Sequence, residues 1–478
     1  MHNTMKKILL VFCFFLLAAR GFSQQFSQIN TGTLFDSFEN PSQRAFVPDT
    51  SKKYAFNFII PNINLNGSLT GDAQSSLITR AFGGKYNNSS LQIGNNKMNN
   101  FNFNGSVYAL MFKEFGSVNG DTEFGFFIET KGEGRGTFSD ESVAVFNGTQ
   151  AFSNTIYDNI FNDHYSYQVY NSIGLSYREK VTKNFNLGFK LSLLMGIDYS
   201  KLDIYESHVT FDNVNDAATF SLRGKYYLSK GPGNLDARSF LPTTRSPGAQ
   251  ISIGTSYKTE DNITIQGNIK DLGFIHWYNE SSIASFDQTE TAPGISTSKR
   301  EGNILNVVKN ILKDNRLNQP FTTATDGKFE LSMTKSYWVN DDMTVKYSPT
   351  VIVSKELFYN GTVGALVNHF QYQNYHASLT ASYDNNNLLN VGLQLMIKSY
   401  NGEFFIGSDK LMQTVALAGA STNYPSYTNG SFTGASFFMG FAYKFGPVVE
   451  HPMNSSVMNT GERGFLGRLY NRLFKTNW

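Results

Sequence analysis

The sequence predicts an all-β fold: a transmembrane antiparallel β-barrel of about 14 strands, within a range of about 12 to 16, with long extracellular loops. Three observations predict it. Apolar and polar residues alternate with period two, in stretches of roughly ten to fifteen residues, from Tyr54 to Phe445, as on strands with one apolar and one wet face. An export signal precedes them. Aromatic residues make up 15% of the chain, with 42 Phe and 25 Tyr, which suits interfacial girdles and a lipid-facing surface.

The signal reads as a basic start with Lys6 and Lys7, an apolar run from Ile8 to Ala19, and Gly21-Phe22-Ser23. This order predicts cleavage after Ser23. The run is too short to span a bilayer as a helix. Cys13 lies inside it behind Phe12 rather than behind a small residue, so no lipid anchor is expected. The mature chain then has no cysteine, which argues against a disulfide-stapled fold and Cys-based metal or redox chemistry.

The expected organisation is a signal peptide over 1–23, an N-terminal segment over 24–53, a barrel over 54–445 and a periplasmic tail over 446–478. Lys plus Arg number 40 against 38 Asp plus Glu, a formal charge of +2. With no basic stripe in the barrel, nucleic acid is not an expected partner. After Ala19 no run of 18 apolar residues occurs, which argues against membrane helices. A mean hydropathy of -0.29 fits a barrel, whose inner face is polar.

The clearest strand runs from Phe185 to Tyr199, with Phe185, Leu187, Phe189, Leu191, Leu193, Ile197 and Tyr199 on one face and Asn186, Lys190, Ser192 and Asp198 on the other. Similar alternation marks Phe101 to Met111, Ile251 to Tyr257, Ile263 to Ile269, Tyr375 to Tyr383, Leu389 to Ile397 and Ala435 to Phe445. A tilted strand of roughly 9 to 11 residues crosses a membrane. Long connections fall at Leu65 to Asn99, Glu133 to His164, Lys230 to Gly248, Phe274 to Asp326 and Leu411 to Gly430, and short ones at Val181 to Asn184, Glu260 to Asn262, Val339 to Asp342 and Asn401-Gly402. With the mature N-terminus in the periplasm, counting strands up and down puts every long connection outside. The raw count is about 16 strands, and about 14 after allowing for a merged or split pair.

Two stretches read as helices. Ile304, Val307, Val308, Ile311 and Leu312 share a face in the longest outer loop, predicting a helix packed on the barrel mouth. In the tail, Phe465, Leu466, Leu469, Tyr470, Leu473 and Phe474 form a stripe opposed by Arg468, Arg472 and Lys475. Such a basic amphipathic helix lies on the inner leaflet or docks on a partner; Phe465, Leu469, Leu473, Arg468 and Arg472 are the candidate contacts.

At this point a family is recognisable. Phe35 to Ser42, with its Asn40-Pro41 pair, resembles the early motif of long-chain fatty-acid-transporter-like barrels. Ile173 to Tyr177, Phe185 to Lys190 and Met195-Gly196 resemble an adjacent strand pair of that class. Lys270 to Trp277 and Gly402 to Leu411 resemble motifs of a Gram-negative outer-membrane barrel family of unknown function, similar to barrels of the type IX secretion and gliding apparatus. The resemblance implies an outer-membrane barrel whose N-terminal segment plugs the lumen. It carries over no catalytic residue.

Chemistry is sparse. No Gly-x-Ser-x-Gly elbow occurs. The mature histidines, His164, His208, His276, His369, His376 and His451, form no local cluster with metal-ligand spacing, although His369 and His376 fall on neighbouring strands. Lys131 to Gly136 reads as a flexible loop rather than a phosphate cradle, and Asp212 to Asp216 as a polar turn rather than a calcium loop. Arg223 and Lys225 alternate with Phe220, Leu222 and Tyr226 and so are expected in the lumen. Asp271 is expected to cap a turn or touch the plug, and Trp277 to join the outer girdle; the alternative makes Phe274 to Tyr278 a ligand entrance.

These observations predict a non-enzymatic barrel without cofactor or metal, a component or accessory of a secretion or surface-assembly machine. The alternative is a transporter for a small hydrophobic solute, for which Phe127, Leu194 and Phe438 are candidate lumen residues. An outer-membrane enzyme is a distant third. Expected partners are outer-membrane lipid, secretion or surface-assembly proteins, or a small hydrophobic ligand.

Overall fold

The computed structural model describes residues 31–46, 52–57, 60–116, 121–229, 243–278, 280–313, 315–359, 361–384, 388–423 and 433–448, with residues 465, 466, 469 and 472 of the tail. The signal peptide lies outside the described residues. Strand pairings close one antiparallel barrel of 14 strands. The first strand, β1, is interrupted, running Lys52–Phe56 and Asn62–Thr70. Long strands follow: β2 (Met98–Phe115), β3 (Thr122–Ser139), β4 (His164–Lys180) and β5 (Phe185–Asp212). Next come β6 (Pro247–Lys258), β7 (Ile263–Trp277) and β8, split into Phe321–Ala324 and Lys328–Lys335. Shorter strands complete the wall: β9 (Val345–Glu356), β10 (Thr362–Tyr372), β11 (Tyr375–Asp384), β12 (Leu389–Lys398) and β13 (Gly402–Ser408). The last, β14 (Thr433–Val448), pairs back to β1, so no sheet edge is left open to lipid.

The five long connections all leave one end of the barrel, as the parity of the strand count requires. Two further strand-like segments, Ala217–Leu228 and Ser282–Pro293, are not part of the wall. They pair with each other, and the first also pairs with the upper part of β5. They extend the sheet beyond the barrel mouth; the first was open to reading as a wall strand, and the second lies inside the stretch Phe274 to Asp326 read as one long connection. Their apolar faces bury Ala218, Phe220, Leu222 and Phe286 in a separate outer core with Phe152, Phe161 and Phe211. The expected loop helix is present over Arg300–Lys313 and inserts Ile304, Val307 and Ile311 into that core. Two further helices, Gln74–Gly83 and Leu411–Asn423, lie in other outer connections.

This extension corrects one expectation. Arg223 and Lys225 do not line the lumen; both are exposed on the outer sheet, with Arg223 Nη1 3.1 Å from Glu206. Alternation shows only that a strand has two unlike faces. Here the apolar face meets a protein core instead of lipid, and the charged face meets water.

A second correction concerns β5. Leu187, Phe189, Leu191 and Leu193 face outward and Lys190, Ser192 and Leu194 inward as read. Between Val169 and Tyr170 the β4–β5 register slips, leaving Ile197 unpaired. The bulge reverses parity, so Tyr199 points inward and packs on Trp277 at 5.6 Å. A third concerns Lys131 to Gly136, which is not a loop but the middle of β3. Its glycines are covered by aromatic neighbours: an added Cβ at Gly132 would lie 3.0 Å from the Phe103 ring, and one at Gly136 2.5 Å from the Phe101 ring.

Candidate functional site: a plugged lumen

Residues 31–46 enter the barrel from the end carrying the short turns and fold back on themselves inside it, with Arg44 alone among them not fully buried. A single helical turn, Asp36–Glu39, shapes the loop. Thr33 Oγ1 accepts the Asp36 amide at 3.0 Å, and Asn40 Oδ1 accepts the Ser42 amide at 3.1 Å, bridging Pro41. Asn-Pro thus makes the local side-chain-to-backbone turn that Asn favours, and a tight turn is what fits between the walls.

The wall is cut to receive it. Gly188 of β5 and Gly254 of β6 are register partners; an added Cβ would sit 2.0 Å from the Pro41 carbonyl oxygen at the first and 2.2 Å from Asn40 Oδ1 at the second. Phe38 packs on Phe127 at 5.5 Å, and Phe35 on Tyr108 at 5.7 Å and Phe405 at 5.8 Å. Polar wall groups satisfy the plug backbone. The Leu34 amide donates to Glu403 Oε1 at 2.6 Å, Arg178 Nε to the Ser42 carbonyl at 2.9 Å, Asn268 Nδ2 to the Glu39 carbonyl at 3.0 Å, and Lys398 Nζ to the Thr31 and Gly32 carbonyls at 2.9 and 2.6 Å.

Beside the plug lies a buried ion cluster, and a β-bulge builds it. In β7, Ile269 faces Ile253 and Leu272 faces Ile251, so Lys270 and Asp271 together oppose Ser252. Asp271 takes a positive φ of 57°, a conformation Asp tolerates better than most residues. Two successive side chains therefore point inward. Asp271 pairs with Lys131 and, at 3.1 Å, with Lys190, and accepts Ser252 Oγ at 3.2 Å. Lys270 pairs with Glu39 of the plug, which also accepts Tyr108 Oη at 2.7 Å. Nearer the outer end, Arg135 bridges Asp326 and Glu356 at 3.0 Å each and stacks 3.4 Å over the Tyr359 ring. Nearer the inner end, Glu123 pairs with Lys113 at 2.9 Å and Arg178 at 3.5 Å. Charges so buried are tolerable only when paired.

Burial drives the Asp36 carboxyl up to about 7, against the opposing pull of Thr31, Thr33 and Lys398. Burial also raises Glu39, but Lys270, Lys190 and Lys131 outweigh it and hold that carboxyl below its ordinary value. The seated plug thus carries one carboxyl poised near neutrality and one held ionised.

Trp277 is not in the outer girdle. It is 1% exposed, and its Nε1 donates to Thr323 Oγ1 at 2.9 Å. With Tyr170, Leu194, Tyr199 and Ile275 it forms an apolar cluster on the inner wall, on the outer side of the Asp271 cluster, against which Phe321 and Tyr227 pack. Phe274 instead faces outward and is half exposed. Asp271 caps no turn; it is the centre of the ion cluster. Phe127, Leu194 and Phe438 are all buried inside. Of the tail, Phe465, Leu469 and Arg472 are helical and exposed, while Arg468 and Leu473 lie outside the described residues. His369 and His376 do meet across β10 and β11, Nε2 to Nδ1 at 3.2 Å. Asp212 to Asp216 is a polar turn, with Asp212 Oδ1 accepting two amides at 3.0 Å. Among the described residues, no group of three or more metal-ligating side chains occurs.

The residues missed from sequence are Glu129, Lys131, Glu133 and Arg135. Their signal was available: charges at every second position, with Thr130, Gly132 and Gly134 between, form a row along one face of a strand.

Residues 45–409 match the model of a family described as "Family of unknown function (DUF5723)", about three quarters of the chain. The chain belongs to this family. Among solved structures it is similar to the toluene transporter TbuX of Ralstonia pickettii, with 10% identity over 90% of this chain and 95% of that one and a TM-score of 0.42. It is similar also to a FadL homologue of Pseudomonas aeruginosa, at 11% identity over 87% and 95% with a TM-score of 0.41. The toluene transporter TodX of Pseudomonas putida gives 8% identity over 85% and 93% with a TM-score of 0.38. No curated protein matches the chain. The DUF5723 chain is a closed antiparallel β-barrel of 14 strands.

Proposed function

We propose that this DUF5723 barrel is a plug-gated outer-membrane channel for a small hydrophobic solute, without enzymatic activity. The observation that carries this is the arrangement within the lumen: the plug sits against the Asp271 ion cluster, and the buried apolar cluster of Tyr170, Leu194, Tyr199, Ile275 and Trp277 lies on the outer side of that cluster. A general diffusion pore keeps a polar, water-filled lumen, whereas an aromatic cluster on the inner wall suits an apolar guest. Toluene is the solute named for two of the barrels compared above; here a hydrophobic cargo is inferred from the lining residues. Passage requires the plug to shift, since its contacts with Glu403, Lys270 and Arg178 span the lumen.

The test is mass spectrometry of hydrophobic compounds extracted from the purified protein, with uptake of the compound found into cells expressing it. An enriched ligand, with uptake lowered at least tenfold in Trp277→Ala, is the expected result. No enriched compound, or uptake indifferent to Trp277, removes the reading.

A second reading is favoured by one observation. The outer sheet extension has its own core, and Phe465 and Leu469 of the tail are exposed, both of which suit contact with secretion or surface-assembly proteins. Native co-purification with and without residues 447–478 tests it: a partner lost on truncation supports the reading, and an unchanged complex removes the tail from it.

A further inference from the structure

At the inner end of the barrel, below the plug, is a cavity of about 840 Å³, a size typical of ligand sites. Its charged lining is of one sign, Lys258, Lys346 and Lys398, with no Asp or Glu; His369 and His376 also line it. Lys398 is partly answered, by Glu403 at 3.9 Å and by the Thr31 and Gly32 carbonyls. Among the described residues, no carboxylate lies within ion-pairing reach of Lys258 or Lys346. Glu260, Asp261, Asp341 and Asp342 stand exposed on the surrounding turns and are not part of the lining.

The rest of the lining is rich in hydroxyls and amides, among them Thr264, Thr334, Ser336, Ser348, Gln371 and Asn374.

We propose that this vestibule is a binding site for a soluble polyhydroxylated organic anion, a sugar-like molecule bearing a phosphate or carboxylate. Ammonium groups focused in a cleft raise the local anion concentration, and the ring of hydroxyls and amides matches a hydroxylated body. The lining faces inward, so the ligand arrives dissolved from the periplasmic side. Thr31 and Phe46, the two ends of the described plug, also line the cavity. A bound anion therefore touches plug and wall together and holds the plug seated. This site is separate from the apolar cluster and does not depend on the cargo.

Calorimetric titration of the detergent-purified full mature chain with glucose 6-phosphate, glucuronate, glucose and inorganic phosphate tests the site. Both sugar anions are expected to bind at least tenfold more tightly than glucose or phosphate, and less tightly as salt is raised. The double variant Lys258→Gln/Lys346→Gln is expected to lose at least tenfold in affinity while keeping the heat-modifiable gel mobility of a folded barrel. In the unmutated protein, glucose 6-phosphate should slow acetylation of Lys346 and spare exposed Lys183, a readout free of any folding defect. Absence of binding by both sugar anions, equal binding of glucose or phosphate, or equal protection of Lys183 would overturn the proposal.

Discussion

The long-strand side of the barrel and its short-strand side are built on different terms. From β2 to β7 the strands reach 28 residues, and register shifts interrupt the β2–β3, β4–β5 and β6–β7 pairs. This side carries most of the buried ion pairs and the glycine notch for the plug. From β9 to β13 the strands run to at most 12 residues, their registers are unbroken, and their inner faces carry mainly small or neutral groups such as Ser348, Thr350, Ala365, Val367 and Thr380. The difference teaches that register shifts mark the places where the lumen holds specific contents, the ion cluster at Asp271 and the aromatic cluster at Tyr199. Lipid asks only for an outward apolar face, which plain alternation supplies. A folded segment held inside asks for charges and small residues at particular places, and bulges bring them there.

The largest expected effect lies at the bulge. Asp271→Ala leaves Lys131 and Lys190 buried without their shared carboxylate, a loss of about 3–5 kcal/mol that urea unfolding of the detergent-solubilised barrel would measure. Ile352→Val, buried on the plain side, should cost only about 0.5–1.5 kcal/mol. Equal losses would break the comparison.

Asp36 gives the next effect, and its sign follows from its surroundings. The carboxyl ionises near 3.8 when free and near 7 in the seated plug, so between those values the seated state holds the extra proton. Seating is strongest below pH 4, weakens as pH rises toward 7 and is flat above it. Between pH 5 and pH 7 the seated fraction relative to the displaced one should fall by about fiftyfold. Protease cleavage within residues 31–46 reads it, and Asp36→Asn should abolish the trend.

Gly188→Val pushes a side chain into the Pro41 carbonyl, an overpacking worth about 1–3 kcal/mol, and should raise single-channel conductance by displacing the plug. The smallest effect is the matched control: Gly364→Val in β10, where an added Cβ meets nothing within 4 Å, should stay within about 0.5 kcal/mol of the parent with conductance unchanged. A plug displaced by both substitutions would show that the notch is not specific.

Sequence reading succeeded on the plain side and failed on the bulged one for a single reason. On β11, β12 and β14 the inner and outer sets follow strict parity, so Tyr375 to Tyr383 and Ala435 to Phe445 were placed on the correct face. Apart from Lys131 to Gly136, read as a loop, the misplaced residues lie past a register shift or on a strand that leaves the barrel: Tyr199 after Ile197, Asp271 and Trp277 at and beyond the β7 bulge, and Arg223 and Lys225 on the outer sheet. The Asn40-Pro41 segment was recognisable, but the notch that holds it joins Gly188 and Gly254, which only strand pairing makes neighbours.

What this chain's sequence determined alone is the local alternation, and with it a closed barrel, the end that carries the long connections, and the lack of any run of 18 apolar residues after Ala19. These are properties of one strand at a time, set by a period of two and by loop length. What only the tertiary structure decided is the contents of the lumen: which charges meet, that Asp271 and not a turn lies at the centre, that Trp277 looks inward, and that three lysines share one vestibule. Those depend on which residues face each other across some ten strands. A single inserted residue, as at Ile197 or Asp271, changes that facing without leaving a mark in the composition.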